Sequence, residues 1–386
     1  MVIKAVKVYV VDTGSYRPVI VETLTDEGII GIGEGAVGFG TGCMACATMI
    51  KELAPQFIIG KDPYKIRDIW NNIYAHTFWA KGGGPIFFAA VSALEMSLID
   101  IKAKSLGIPV YDLLGGKQRD ELIVYANDWS NQETPEEFAD RAQKVVEDGY
   151  EYLKVYPLSQ VDHVRGINLH IKNRNIPPET EERCYAIVRN VREAIGYEKK
   201  LMVDFTCEGT KSTMIRIMKN LEEYDPFWYE EPGDSFDLDV YEEIKEKTHI
   251  AIAAGERCYT RYGIKPLIQK RSVDIVQPDP GTCGGILEAW QIAAMAEVNS
   301  MSVAFHNCGG PVLTAAAVQL AASASNFICQ EVFPYRPEIH YDILENPLEK
   351  TIKKGKLKVP ETPGFGVRLN EKLLSKYLVA DIKDDL

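Results

Sequence analysis

The chain opens on alternation. "MVIKAVKVYVVD" places apolar residues at nearly every second position, the period of a half-buried strand. A second apolar run covers 18–24, "TDEG" supplies a turn, and "IIGIGE" follows, so the first stretch reads as a small antiparallel meander with glycine at the turn. The period then changes. Residues 44–60, 63–79 and 86–106 carry apolar side chains at helical spacing, the last as "IFFAAVSALEMSLIDIKAKSL". "GIPVYDLLGG" stops that helix and begins a short second one. Residues 1–120 are predicted to form a compact α+β unit.

From 121 the texture becomes regular. Short β-rich runs fall at 121–126, 152–156, 201–205, 226–230, 250–254, 273–277, 301–305 and 327–331. Helical patterns lie between them, at 134–149, 179–195, 211–224, 238–247, 262–270, 285–298 and 311–323. Strands alternating with helices predict a parallel (β/α) barrel over 121–331. The tail, 332–386, is richer in Pro, Lys and Glu, and "GKLKVPETPGFG" reads as turn, strand, turn. It is too irregular for a ninth barrel unit and is predicted to pack back on the N-terminal unit. The loop 157–178 is long and carries His163, Arg165 and His170. A lid over a site and a surface or subunit contact both remain open for it.

Composition narrows this only a little. With 386 residues, 46% hydrophobic and 25% charged, the chain is long enough for a large core and has the make-up of a globular protein. Its net charge of −12, from 43 basic and 55 acidic residues, speaks against a nucleic-acid partner and leaves room for a small anionic substrate. The N-terminal stretch reads as a strand rather than a signal peptide, and no apolar run approaches membrane-spanning length, so a cytoplasmic protein without a membrane partner is expected. Of the eight cysteines only Cys43 and Cys46 form a CxxC, with no second pair and no nearby histidine. That is weak for zinc and reads as ordinary reduced thiols.

Active sites of such barrels lie at the C-terminal strand ends. Strand two ends in "YLKVY", giving Lys154 and Tyr156; strand three in "LMVDF", giving Asp204; strand four in "PFWYEEP", giving Glu230 and Glu231. Strand five offers Glu256 in "AAGER", strand six Asp279 in "QPD", strand seven His306 in "AFHN", and strand eight Glu331 in "CQE". Asp204, Glu230 or Glu231, and Glu256 come from three successive strands. Carboxylates that close repel unless a hard cation sits among them, and oxygen ligands alone suit Mg²⁺. The two adjacent glutamates cannot both face the mouth, because strand side chains alternate; alternation alone leaves open which one does. Asp279 and His306, on adjacent strands, form a carboxylate–imidazole pair suited to general acid/base work.

With those residues placed, the sequence resembles the enolase superfamily, mandelate racemase subgroup, and within it the acid-sugar dehydratases of the galactonate dehydratase kind. The resemblance runs through "TDEGIIGIGE", "AVSALEMSLIDIKAKSLGIPVYDLLGG", "YEEP", "AAGER", "QPDPGTCGGI" and "PGFGV", and through the equal 26-residue steps from Asp204 to Glu230 to Glu256. It implies a modified TIM barrel, (β/α)₇β, with an α+β capping domain completed by the C-terminal tail. It implies Mg²⁺ on Asp204, Glu230 and Glu256, a His306–Asp279 dyad, and Glu331 as a hydrogen-bonding acid. Lys154 would stabilise the same developing charge as the metal. It implies substrate contacts from capping loops near 13–20 and 35–44, with Tyr16 and Arg17 as candidates, and a homo-oligomer, dimer or octamer. Two departures stand out: Lys154-Val-Tyr156 where the subgroup often has Lys-x-Lys, and Asp204-Phe-Thr206 where some dehydratases have Asp-x-His. Both remove a base from the side opposite His306. The expectation is therefore dehydration of an aldonate or aldarate by one base; the alternative is a racemase or epimerase of an α-substituted acid, with Tyr156 as second base. A Schiff-base aldolase using Lys154 and a non-catalytic carboxylate binder are the readings from other classes.

Overall fold

The computed structural model describes residues 1–14, 16–162, 167–169, 171 and 174–383. His163, Arg165 and His170 lie outside the described residues. The N-terminal sheet comprises Ile3–Val10, Val19–Thr25 and Ile30–Gly35 in antiparallel order. Its fourth strand is Leu378–Lys383, which pairs antiparallel with the first, Ala5 opposite Lys383. Helix Gly84–Leu106 lies across this sheet. The two approach closely because Gly31 and Gly33 face the helix: a Cβ at either would collide with the Ser97 or Ala93 carbonyl oxygen. This helix is long and apolar enough to cross a bilayer, but its most apolar window is 83% buried within the protein, which marks a core helix.

Eight parallel strands with seven intervening helices form the barrel. In order the strands are Glu121–Ala126, Tyr152–Val155, Lys200–Asp204, Trp228–Glu230, Ile252–Ala254, Ile275–Val276, Ser302–Val303 and Gln330–Val332. Neighbours are parallel throughout, strand eight lies beside strand one, and a parallel bridge from Val303 to Phe327 closes the ring between strands seven and eight. The first helix, Pro135–Glu147, begins with a capping box: Glu137 N donates to Thr134 Oγ1 and Thr134 N donates to Glu137 Oε2. Two features were not visible in the sequence pattern. Within 157–178, Gln160–Asp162 pairs with Ile167–Leu169, so the long loop contains a hairpin. In the tail, Lys356–Lys358 pairs antiparallel with the start of barrel strand one, so the tail engages the barrel as well as the N-terminal sheet.

The two units are joined by buried carboxylates. Glu34, between Gly33 and Gly35, accepts from Gly310 N at 2.5 Å and Leu313 N at 2.9 Å, at the start of helix Pro311–Ser323. Glu95 accepts from Ile286 N at 2.7 Å and Leu287 N at 3.1 Å, at the start of helix Ile286–Glu297. Helix N-termini present unpaired N–H groups, so each carboxylate satisfies donors that the helix itself cannot. Burial still outweighs those bonds and pushes Glu34 up to about 8 and Glu95 up to about 7. Burial likewise lifts Glu349, beside Thr314, to about 7.

Carboxyls raised in the folded state bind protons that the unfolded chain releases, so their contribution is complete near pH 4.5 and is lost as pH rises through 7 to 8. Stability should therefore fall between about pH 5 and pH 8.5, and Glu349→Gln should flatten that fall by one proton, about 1.4 kcal/mol per pH unit within its window. Urea titrations at half-unit pH steps check this; a profile that rises with pH, or one unchanged by the substitution, refutes it.

Candidate active site

The barrel interior is layered. Tyr125, Met202, Trp228, Ala253, Ile275, Ala304 and Cys329 form one buried apolar layer, with Tyr152 against it. Strand side chains repeat their facing every second residue. Two positions further along each strand therefore gives the next ring: Asn127, Lys154, Asp204, Glu230, Gly255, Gln277, His306 and Glu331. The polar ring stands directly on the apolar plug.

Lys154, fully buried, is the centre of that ring. Its Nζ lies 2.6 Å from Glu230 Oε1, 2.8 Å from Glu331 Oε1 and 3.2 Å from Asp204 Oδ2. Burial alone would lower its pKa; Glu230 and Glu331 outweigh burial and hold it well above the usual lysine range. An amine kept charged this firmly is unsuited to Schiff-base chemistry, which needs a free lone pair. Glu331 is held down to about 2 by Lys154 and His306 against the effect of burial, and it accepts from Asn307 N and Asn127 Nδ2.

The adjacent glutamates separate as alternation requires. Glu230 faces inward, bonded by Lys154 and by Trp228 Nε1 at 3.0 Å. Glu231, with φ of 43°, turns away and accepts from Arg257 Nε at 2.8 Å. On strand five, Gly255 (φ 138°) supplies no side chain to the ring; a Cβ there would press on Gln277 N. Glu256 follows, with its Oε2 3.2 Å from His306 Nε2 and its Oε1 3.2 Å from Arg257 Nη2. His306 Nδ1 donates to Asp279 Oδ2 at 2.7 Å, and Asp279 Oδ1 accepts from Gly281 N at 2.6 Å. Burial alone would lower the imidazole; Glu256, Asp279 and Glu331 together hold it well above its ordinary value. The Asp279 contact fixes the ring orientation and leaves Nε2 facing the mouth side chains.

Asp204, Glu230 and Glu256 thus end three adjacent strands, but their side chains do not converge on one point. Among the described residues no three His, Cys, Asp or Glu side chains are gathered as a metal cluster. Lys154 takes Asp204 and Glu230, while His306 and Arg257 take Glu256. The donor set nonetheless fits a hard divalent cation. Asp204, Glu230, Glu231, Asp279 and Glu331 are buried, and Glu256 is half-buried, around the cations Lys154, Arg257 and His306, which leaves negative charge in excess. Asp204 shows the consequence: burial, then Glu230, pushes it well above the usual carboxylate range.

Tyr156 is pushed up by burial against the lowering effect of Lys154, and its hydroxyl accepts from Asn127 Nδ2 at 2.7 Å. That disfavours the phenolate a second base would require. Tyr16 is fully buried, and the loops it belongs to cross through a Tyr16–Phe39 bridge. Arg17 Nη2 donates to the Gly40 carbonyl at 2.7 Å, tying the same two loops. Sequence reading passed over Asn127 and Gln277. The signal for both was available, because each sits in the ring register two residues beyond an interior apolar position.

Likeness to known proteins runs along most of the chain. Residues 4–115 match the family described as mandelate racemase / muconate lactonizing enzyme, N-terminal domain, and residues 137–373 match enolase C-terminal domain-like. The chain is similar to D-galactonate dehydratase of Pectobacterium atrosepticum, at 32% identity over 91% of this chain and 88% of that one. It is also similar to D-gluconate dehydratase of Thermoproteus tenax, at 30% identity over 93% and 69%. A solved structure from Mesorhizobium loti superposes with a TM-score of 0.94 at 41% identity, over 99% of this chain and 100% of that one.

Removing the central cation should expose the repulsion it offsets. Lys154→Met is expected to lower stability by about 3–5 kcal/mol in metal-free buffer, because buried acids lose their partner. Urea unfolding measures this, and a loss below 1 kcal/mol would show that the ring does not depend on Lys154.

Proposed function

Because the chain belongs to the mandelate racemase / muconate lactonizing enzyme family, we propose that it is a divalent-metal-dependent dehydratase of an acid sugar. It would convert an aldonate or aldarate to the 2-keto-3-deoxy acid. The observation that carries this reading is the pairing of one oriented imidazole, His306 on Asp279, with a carboxylate-rich wall on the neighbouring strands and, among the described residues, no comparable base opposite. Relatives named for galactonate and gluconate dehydration support it.

With a cation on Glu256, the carboxylate that raises the imidazole most, His306 would be free to take at Nε2 the proton α to the substrate carboxylate, while Asp279 keeps the ring aimed as it becomes charged. Mg²⁺ held by Asp204, Glu230 and Glu256 would supply positive charge against the negative charge that develops on the substrate carboxylate. Lys154 adds a fixed cation at the same end of the site. The proton on His306 then passes to the β-hydroxyl, which leaves as water from the same face, a syn elimination. The enol left behind takes a solvent proton at C3. Tyr156, kept neutral by burial, serves as a hydrogen-bonding group; this favours dehydration over racemisation, which needs competent bases on both faces.

The test is proton NMR in D₂O with Mg²⁺ over a panel of aldonates and aldarates. A metal-dependent 3-deoxy signal is expected from the wild type. In His306→Asn turnover should drop by at least about 10²–10⁴-fold, and in Glu230→Gln the Mg²⁺ dependence should be lost. Undiminished turnover in His306→Asn would refute the role given to it. Exchange of the α-proton without a 3-deoxy product would move the assignment to racemisation or epimerisation.

A further inference from the structure

One cation at the mouth is held by side chains that take no part in the chemistry above. Arg336 follows barrel strand eight. Its backbone N–H donates to the Tyr341 hydroxyl at 3.2 Å, and that hydroxyl donates to the Phe333 carbonyl at 2.5 Å, which pins the turn. The guanidinium lies over two rings, 4.6 Å from the centre of Phe333 and 5.1 Å from that of Tyr16. Its donors lie in its own plane, so the rings hold it flat and leave the edge for polar partners. Asp128, from the loop after strand one, meets that edge: its Oδ2 is 3.1 Å from Nε but is not aligned for a hydrogen bond.

Arg336 is 7% exposed, yet its Nε has no hydrogen-bond partner among the described residues. The Tyr16 hydroxyl, Trp129 Nε1 and Ser130 Oγ are buried and unpartnered in the same sense. Trp129 and Ser130 continue the chain from Asp128, and Tyr16 packs on Arg336. The group borders the base. Asp128 follows Asn127, whose amide bonds Glu331 and Tyr156, and Pro18, two residues past Tyr16, packs on Gly310, four residues past His306.

We propose that Arg336 and Asp128, with Tyr16 beside them, form the subsite for the hydroxylated tail of the substrate and select an uncharged tail, an aldonate, over a tail ending in a second carboxylate. This rests on the acid-sugar reading. The pair carries no net charge. Its carboxylate accepts from hydroxyls and its guanidinium donates to them, which suits neighbouring alcohols. A terminal carboxylate would instead meet Asp128, whose own charge already balances Arg336. Lys154 is committed to three carboxylates, Arg257 to two, and Arg17 to the Gly40 carbonyl.

The experiment compares kcat and KM for a hexonate and the hexarate of the same configuration. In Asp128→Asn the hexarate-to-hexonate ratio of kcat/KM should rise about tenfold, because Arg336 becomes an unbalanced cation. In Arg336→Gln, kcat/KM for the hexonate should fall about 10–100-fold, through KM rather than kcat. Lys219→Gln, on the exposed face of helix Lys211–Leu221, should leave the ratio within about twofold. Thermal melts establish that each variant is folded, and the Arg336 variant carries the test alone where Asp128→Asn is not. A wild type that turns over no acid sugar overturns the dehydratase reading and this inference with it. A wild type that dehydrates acid sugars, with ratio and KM unmoved in both subsite variants, overturns the subsite alone.

Discussion

The arrangement depends on one constraint: in a closed parallel barrel, side chains enter the interior in rings, and the last ring before the mouth must be polar on one side and rest on apolar packing on the other. Here Tyr125, Trp228 and Ile275 belong to the apolar ring, and Lys154, Glu230 and His306 stand two residues above in the polar one. Carboxylates so placed are out of water and close together. Isolated charges would be intolerable there. Lys154 is therefore the residue on which the ring's electrostatics turn, since it meets three acids at once. An excess of negative charge remains, and it is this excess, rather than any single ligand, that makes the mouth receptive to a hard cation.

The capping unit is fixed to this mouth at defined points. Glu34 and Glu95 reach across to the first turns of two consecutive barrel helices. The loops around Tyr16 and Gly38 issue from the same sheet and are tied to one another by the Arg17–Gly40 contact. Gly38 is required there, because a Cβ would press into the Tyr16 ring. The loops around Tyr16 and Gly38 and the His306–Asp279 pair thus share one frame, held by buried hydrogen bonds rather than by a flexible hinge.

Much of this was legible in the sequence. Every barrel strand falls within a few residues of its apolar run, and the acids at the strand ends follow from where those runs stop. What periodicity encodes is a facing direction, not a partner. It could say that Glu230 and Glu231 diverge, but not that Lys154 would claim the first and Arg257 the second. It placed Tyr16 on a loop without revealing that the ring is buried against Arg336, some 320 positions away in the chain by subtraction of their numbers. The Lys356–Lys358 pairing with Glu121–Ile123 was hidden for the same reason: three residues carry too little pattern to announce a partner more than 230 positions earlier. Asn127 was overlooked although the alternation pointed to it, because an amide draws less notice than a charge.

The pairing of Leu378–Lys383 with Ile3–Val10 has a consequence for the order of events during synthesis. The sheet that begins with Ile3–Val10 is completed by a segment synthesised more than 360 residues later. Until then the outer edge of Ile3–Val10 keeps a row of unmatched N–H and C=O groups, the kind of edge that recruits strands from other chains. The barrel strands can pair with their sequence neighbours as they emerge, but this sheet must wait for a contact across more than 360 residues, a slow kind of closure. Loss of Leu378–Lys383 would leave that edge permanently open, and its first symptom would be self-association rather than loss of catalysis.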